Sequence, residues 1–159
     1  MTIAGSVGDA QRLIKWSKME SSSYKLQYGE NITLKAISNV LANILNNSKS
    51  NPYSVSVIVG GLDKTGIKLY SLDAIGGLIE ESEFVSTGSG SPFAYSILED
   101  KYKENMTTNE GVKIAVRALS MAMKRDAASG GKVAAIKITK NGYIEIKESE
   151  INKILEVMK

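Results

Sequence analysis

An α+β fold is predicted, with antiparallel sheet and helices kept apart from it. Two observations carry this reading. Apolar periodicity alternates between 3.6 and 2 along the chain, and the elements arrive in runs: a helix pair, a meander of strands, a second helix pair, a hairpin and a last helix. Strands that follow one another through short turns pair antiparallel, without crossover helices. A third observation bounds the domain count. The 159 residues hold no internal repeat, interdomain linker or low-complexity stretch, so residues 1–159 read as a single domain with a proper core.

Each element has a local reason. Ile3 and Ala4 read as the tail of a strand, and residues 5–8 as a turn. Asp9 is a good N-cap, and Ala10, Leu13, Ile14 and Ser17 follow at helical spacing toward Tyr24, with a polar linker at 27–31. Thr33 opens a second helix whose Leu34, Ile37, Val40, Leu41, Ile44 and Leu45 form one apolar stripe. Val55, Val57 and Val59 alternate with Ser54, Ser56 and Ile58 as in a strand that Gly60-Gly61 ends. A hairpin turn at 63–66 leads into a strand over 67–72. After Gly76-Gly77, short strands are expected at 78–81 and 84–87. Ser91-Pro92 starts a helix that buries Phe93, Ala94, Ile97 and Leu98. Thr107 and Glu110 form a capping box before a long helix with Val112, Ala115, Val116, Leu119 and Met123 on one side. Strands over 133–139 and 143–147 meet at Asn141-Gly142, and Ser149 caps a helix through Ile151, Ile154, Leu155 and Met158.

Composition narrows the chemistry. Hydrophobic residues make up 43% and charged residues 23%, ordinary for a globular protein. The net charge of +3 comes from scattered lysines, so no nucleic-acid footprint is read. No apolar run has the length of a membrane span, and the opening residues do not resemble a secretory signal, which points to the cytoplasm. Cys and His are both absent, which rules out within this chain a disulfide, a thiolate nucleophile, a Ser-His-Asp triad or an imidazole metal site. A hydrolytic reaction here would take its base from Lys, a carboxylate or an α-amino group. No cofactor and no metal are expected.

Several small-residue motifs have two readings each. In Ala4-Gly5-Ser6, Gly5 and Gly8 turn a strand into a helix, and Gly5 also lets a substrate approach the backbone, where an N–H can stabilise an oxyanion. Thr87-Gly88-Ser89-Gly90-Ser91 is a turn before a helix or, as a lesser reading, a phosphate loop, although it fits no nucleotide fingerprint. Asp126 and Ser129 flank a tight loop, where Asp126 is a turn-former or an acceptor for a catalytic hydroxyl. Glu80, Glu81 and Glu83 read as a solvated loop more readily than as a cation site. Trp16 lies off the main apolar face of its helix, as an interface residue or an exposed aromatic.

The order of these motifs carries a resemblance. Gly5-Ser6-Val7-Gly8-Asp9-Ala10-Gln11, Gly60-Gly61-Leu62-Asp63, Tyr70-Ser71-Leu72-Asp73-Ala74-Ile75-Gly76-Gly77, Ser86-Thr87-Gly88-Ser89-Gly90-Ser91 and Lys124-Arg125-Asp126-Ala127-Ala128-Ser129-Gly130 follow one another as in proteasome β subunits of archaeal type. The resemblance runs from Met1 to about the last helix. It implies an N-terminal-nucleophile hydrolase-like four-layer αββα sandwich of antiparallel sheets, here missing the first strands. It implies a threonine endopeptidase of ATP-dependent protein degradation, whose nucleophile is an N-terminal threonine assisted by its own amine and a lysine.

Carried over by motif, Gly5 matches the oxyanion glycine. Ser89, Asp126 and Ser129 match the residues that hold the threonine and its amine. Ile3 and Val7 match positions lining the pocket for the residue before the cleaved bond. Ala127 departs from the serine common there. The nucleophilic threonine, and the Asp and Lys of the strands that follow it, have no match. Thr2 aligns inside the strand leading to Gly5 and does not replace that threonine. The chain is therefore expected to be inactive by itself. It is either part of a longer active subunit or a truncated non-catalytic paralogue acting as a structural or binding protein. The partners implied are other β subunits in a heptameric ring, the α ring, a regulatory ATPase acting through the α ring, and unfolded polypeptide substrates. Sheets lacking their first strands leave edges that recruit other chains, so self-association or dependence on ring neighbours is expected.

Overall fold

The structure, a computed structural model, describes residues 1–157. Met158, which spacing assigns to the last helix, lies outside the described residues. The elements are helices and antiparallel sheets, an α+β arrangement. They fall into two compact units, residues 1–87 and 88–159.

The first unit is a four-stranded antiparallel sheet in the order β1 (Thr2–Gly5), β2 (Val55–Asp63), β3 (Gly66–Leu72) and β4 (Leu78–Glu80). Two helices, α1 (Val7–Tyr28) and α2 (Leu34–Asn47), intervene between β1 and β2. The helical period of α2 places Ile37, Leu41 and Leu45 on one side. They bury against the inward alternation of Val55, Val57 and Val59, with Tyr70 and Leu72 from β3 and Leu13 from α1. Thr33 caps α2 through Ala36 N–H (3.2 Å), and Asp63 reaches from the hairpin to accept Leu34 N–H at 2.6 Å. The same carboxylate accepts the Thr65 hydroxyl (2.6 Å) and N–H (2.7 Å); the Thr65 hydroxyl above all holds its pKa down.

Three expectations change in this unit. Ser6, not Asp9, is the N-cap of α1, which frees the Asp9 carboxylate to accept Ser54 N–H at 3.0 Å. The helix runs on to Tyr28, where Gly29 closes it in the left-handed conformation. β2 does not stop at Gly60-Gly61. A Cβ there would stand 3.1 Å from the Leu69 side chain or 3.2 Å from that of Leu34, so these glycines make room for side chains within an unbroken strand.

Ser38 is a defect in this core. It is completely buried on α2, and its hydroxyl has no hydrogen-bond partner among the described residues. Ser38→Ala removes an unsatisfied polar atom at almost no change in volume, so it is expected to stabilise by about 1 kcal/mol. A higher urea midpoint at unchanged slope is the signature; a lower midpoint would mean that the hydroxyl is satisfied in solution.

The second unit joins α3 (Ser91–Lys101) to α4 (Thr108–Arg125), followed by the hairpin β5 (Ile136–Thr139) and β6 (Gly142–Glu145) and by α5 (Glu148–Glu156). Both halves of the α4 capping box form, with Thr107 N–H donating to Glu110 at 2.8 Å and Glu110 N–H to Thr107 Oγ1 at 3.3 Å. Two faces of α4 are buried. Val112 and Val116 meet Ile146 and Ile151, while Ala118 and Ala122 meet Ala94 with Ile97 and Leu98 alongside.

Here too the sequence reading is corrected in places. Residues 84–87 form no strand. Phe93 and Leu119 are exposed, because α3 and α4 approach along alanines and leave the bulky residues outside. The N-caps are Gly90 for α3 and Lys147 for α5, not Ser91 and Ser149, and neither makes a side-chain capping bond. β5 begins at Ile136 rather than Val133, which packs in the cluster around Val116.

Candidate active site

In the second unit, the end of α4 and the segment entering α3 converge on one carboxylate. Asp126 is the C-cap of α4, and its Oδ2 accepts the Ser129 hydroxyl and the Ser89 hydroxyl, each at 2.6 Å. Ser89 lies 37 positions earlier in the chain. The Ser129 backbone N–H also returns to the Asp126 carbonyl at 3.1 Å, which closes the loop. The Ser129 and then the Ser89 hydroxyls, with backbone N–H groups of Ala128 and Ser129, hold the Asp126 pKa below the usual aspartate value. The carboxylate is therefore an anion at neutral pH. Each serine directs its proton at Asp126 and keeps lone pairs for an incoming donor, so the cluster offers oxygen acceptors to an amine or a hydroxyl.

A pH dependence follows with a definite sign. A carboxylate whose pKa is lower folded than unfolded adds stability above the unfolded value, and that share is lost as pH falls through the folded value. The contribution of Asp126 is thus complete above the ordinary 3.8 and vanishes on further acidification. Asp126→Asn should lower the urea midpoint at neutral pH, and the gap from the parent chain should close below that value. A gap independent of pH would mean that the charge of Asp126 is not what stabilises the loop.

Gly90 was not singled out by the sequence reading. It is buried, and a Cβ on it would stand 2.6 Å from Ser129 Oγ, 2.9 Å from the Ala122 Cβ and 3.4 Å from Asp126 Oδ2. Its sequence signal was no more than one Gly among several.

Gly5, Ile3 and Val7 belong to the first unit. Gly5 ends β1 with φ +118°, a conformation that L side chains rarely adopt. A Cβ on it would run into the Ser54 carbonyl oxygen and stand 3.1 Å from the Val55 Cα. Ser54 is held from both sides: its N–H donates to Asp9 and its carbonyl accepts Ser6 N–H at 2.7 Å. Ile3 is half-buried opposite Val57, and Val7 is exposed in the first turn of α1. Among the acidic residues considered for a cation, Glu80 pairs with Lys68 and Glu81 accepts the Ser71 hydroxyl at 2.6 Å, so both are engaged by β3.

Comparison with known proteins decides the family. The family model described as "Proteasome subunit" matches residues 1–157. The chain belongs to the proteasome subunit family. Its relatives place it on the β branch. It is 51% identical over 159 residues to the proteasome subunit beta of Methanohalophilus mahii, all of this chain and 76% of the relative. The Ferroglobus placidus subunit is 48% identical over 159 residues, with the same coverage of both chains. For Methanosarcina thermophila the identity is 46% over 151 residues, 95% of this chain and 72% of the relative. The proteasome β fold is therefore the fold of this chain, in agreement with its helices and antiparallel sheets. No described helix is long and apolar enough to cross a membrane.

Proposed function

We propose that this proteasome β-type chain supplies the supporting half of a threonine endopeptidase site in the proteasome core. The observation that carries the reading is the shared oxygen of Asp126, which lines up Ser89 and Ser129 as acceptors. In the proposed mechanism these oxygens hold the amine and hydroxyl of an N-terminal threonine. The threonine hydroxyl attacks a peptide carbonyl, with the amine and a lysine moving the proton. The Gly5 N–H stabilises the oxyanion, and Ile3 and Val7 face an apolar residue before the cleaved bond.

None of residues 1–159 serves as the nucleophile in this reading. Thr2 begins the edge strand β1, where it pairs with Ile58 of β2. The partners are other β subunits in a heptameric ring, an α ring and, through it, an ATPase that feeds unfolded chains in the cytoplasm. The test is to supply a segment carrying the family's N-terminal threonine, by fusion or in trans, and to assemble it with α subunits. Hydrolysis of fluorogenic peptides is expected, and it should disappear when that threonine becomes alanine and fall steeply in Asp126→Asn. Full activity in Asp126→Asn would overturn the role given to the cluster.

A further inference from the structure

We propose that Gly90 is a positioning residue for the Asp126 cluster: its missing Cβ is the space that lets Ser89 and Ser129 reach the same carboxylate oxygen. The proposal deepens the reading of this cluster as the threonine-holding site. Conformation is not the reason for glycine here. Gly90 has φ −80° and ψ −2°, right-handed helical angles open to any residue. Gly88, two residues earlier, has φ +101°, and there glycine answers a backbone requirement. What Gly90 does is sit buried as the N-cap of α3, its carbonyl accepting Phe93 and Ala94 N–H at 3.1 and 3.2 Å. A methyl group would point at Ser129 Oγ (2.6 Å) and at the Ala122 Cβ (2.9 Å).

Both obstacles belong to the end of α4 and its loop, which carry Asp126. Ala122 is fixed: it is buried between the helices, and its carbonyl accepts Asp126 N–H at 2.8 Å. The strain of a Cβ would therefore fall on the rotatable Ser129 hydroxyl and on the distance between Ser89 and Asp126. The Ser89 bond depends on that separation, because Ser89 is the immediate neighbour of Gly90, whereas the Ser129 bond is local to the Asp126 loop and is disturbed through the hydroxyl that the methyl group would meet. Gly130, beside Ser129, has nothing within 4 Å of its Cβ position and is a matched control.

The test reads the Asp126 carboxylate directly, by carbon NMR titration of the 159-residue chain. In Gly90→Ala its midpoint should rise toward the ordinary aspartate value as the serine bonds loosen. It should stay put in Gly130→Ala. It should also stay put in Leu98→Ala, which thins the same helix contact away from the cluster. If Gly90→Ala keeps the parent titration, or Leu98→Ala moves it as much, the positioning role is wrong. Should Gly90→Ala be too unstable to titrate, melting of Gly90→Ala, Ser129→Gly and the double variant decides. Removing the hydroxyl should recover part of the loss caused by the methyl group, whereas strictly additive losses overturn the proposal. These readouts need no turnover, so a failed peptidase assay would sink the proposed function and leave this inference to its own result.

Discussion

On the function proposed above, the 159-residue polypeptide by itself should hydrolyse peptides on the order of 10⁶ more slowly than a complete site. Removing a nucleophile from a catalytic unit costs about as much as removing the whole unit, since its supporting groups have nothing left to activate. In the function proposed above, the supporting groups are Asp126, Ser89 and Ser129. Asp126 holds two serine hydroxyls as acceptors, but an acceptor cluster attacks no carbonyl. Neither serine is poised as a nucleophile, because the carboxylate to which each donates a hydrogen bond has a lowered pKa and is too weak a base to take the proton. Thr2, the threonine nearest the start, is paired with Ile58 in β1. A fluorogenic peptide with an apolar residue before the cleaved bond is the substrate to use. Turnover by the pure chain that Thr2→Ala abolishes would place the nucleophile at Thr2 and break the alignment behind the site.

Gly5→Ala is expected to be the most damaging single substitution for the first unit, costing about 3 kcal/mol or more. Two independent terms combine. The backbone stands at φ +118°, and the new Cβ would collide with the Ser54 carbonyl oxygen. That oxygen cannot retreat freely, since it accepts Ser6 N–H at 2.7 Å while Ser54 N–H is tied to Asp9 at 3.0 Å. Relief would pull β1 from β2 at the pair Gly5 and Val55, or uncap α1 at Ser6. Gly8→Ala, with nothing within 4 Å of its Cβ position, is the control and should change stability little. Urea melts of the two variants make the comparison. Equal stability of Gly5→Ala and the parent would show that the strand end yields easily, and would remove the physical reason for glycine at the proposed oxyanion position.

Local codes in the chain were legible because each is read within one element. The capping box of Thr107 and Glu110, the Thr33 cap and the stripe of Ile37, Leu41 and Leu45 all operate over a few residues, and all are present. Both hairpins, at 63–66 and around Asn141-Gly142, are local in the same sense. The motif order that pointed to proteasome β subunits was equally available in the linear chain. Errors came where a local signal had a distant competitor. Asp9 looked like a cap, but the backbone of Ser54, 45 positions away, claims its carboxylate. Gly60-Gly61 looked like a strand end, but the side chains of Leu34 and Leu69 require the room.

Apart from the strand expected at 84–87, the sequence by itself determined the class of elements, their order and the family, because periodicity, caps and motif succession need no knowledge of what lies across the fold. Only the tertiary structure decided that Ser89 and Ser129 share one oxygen of Asp126, and that Gly90 is needed for space while Gly88 is needed for its backbone angle. The physical reason is that a hydrogen bond or a steric collision turns on differences of a few tenths of an ångström in the distance between atoms that, for Ser89 and Asp126, lie 37 positions apart. Helix packing through Ala94, Ala118 and Ala122 sets those separations, and no single stretch of chain encodes them.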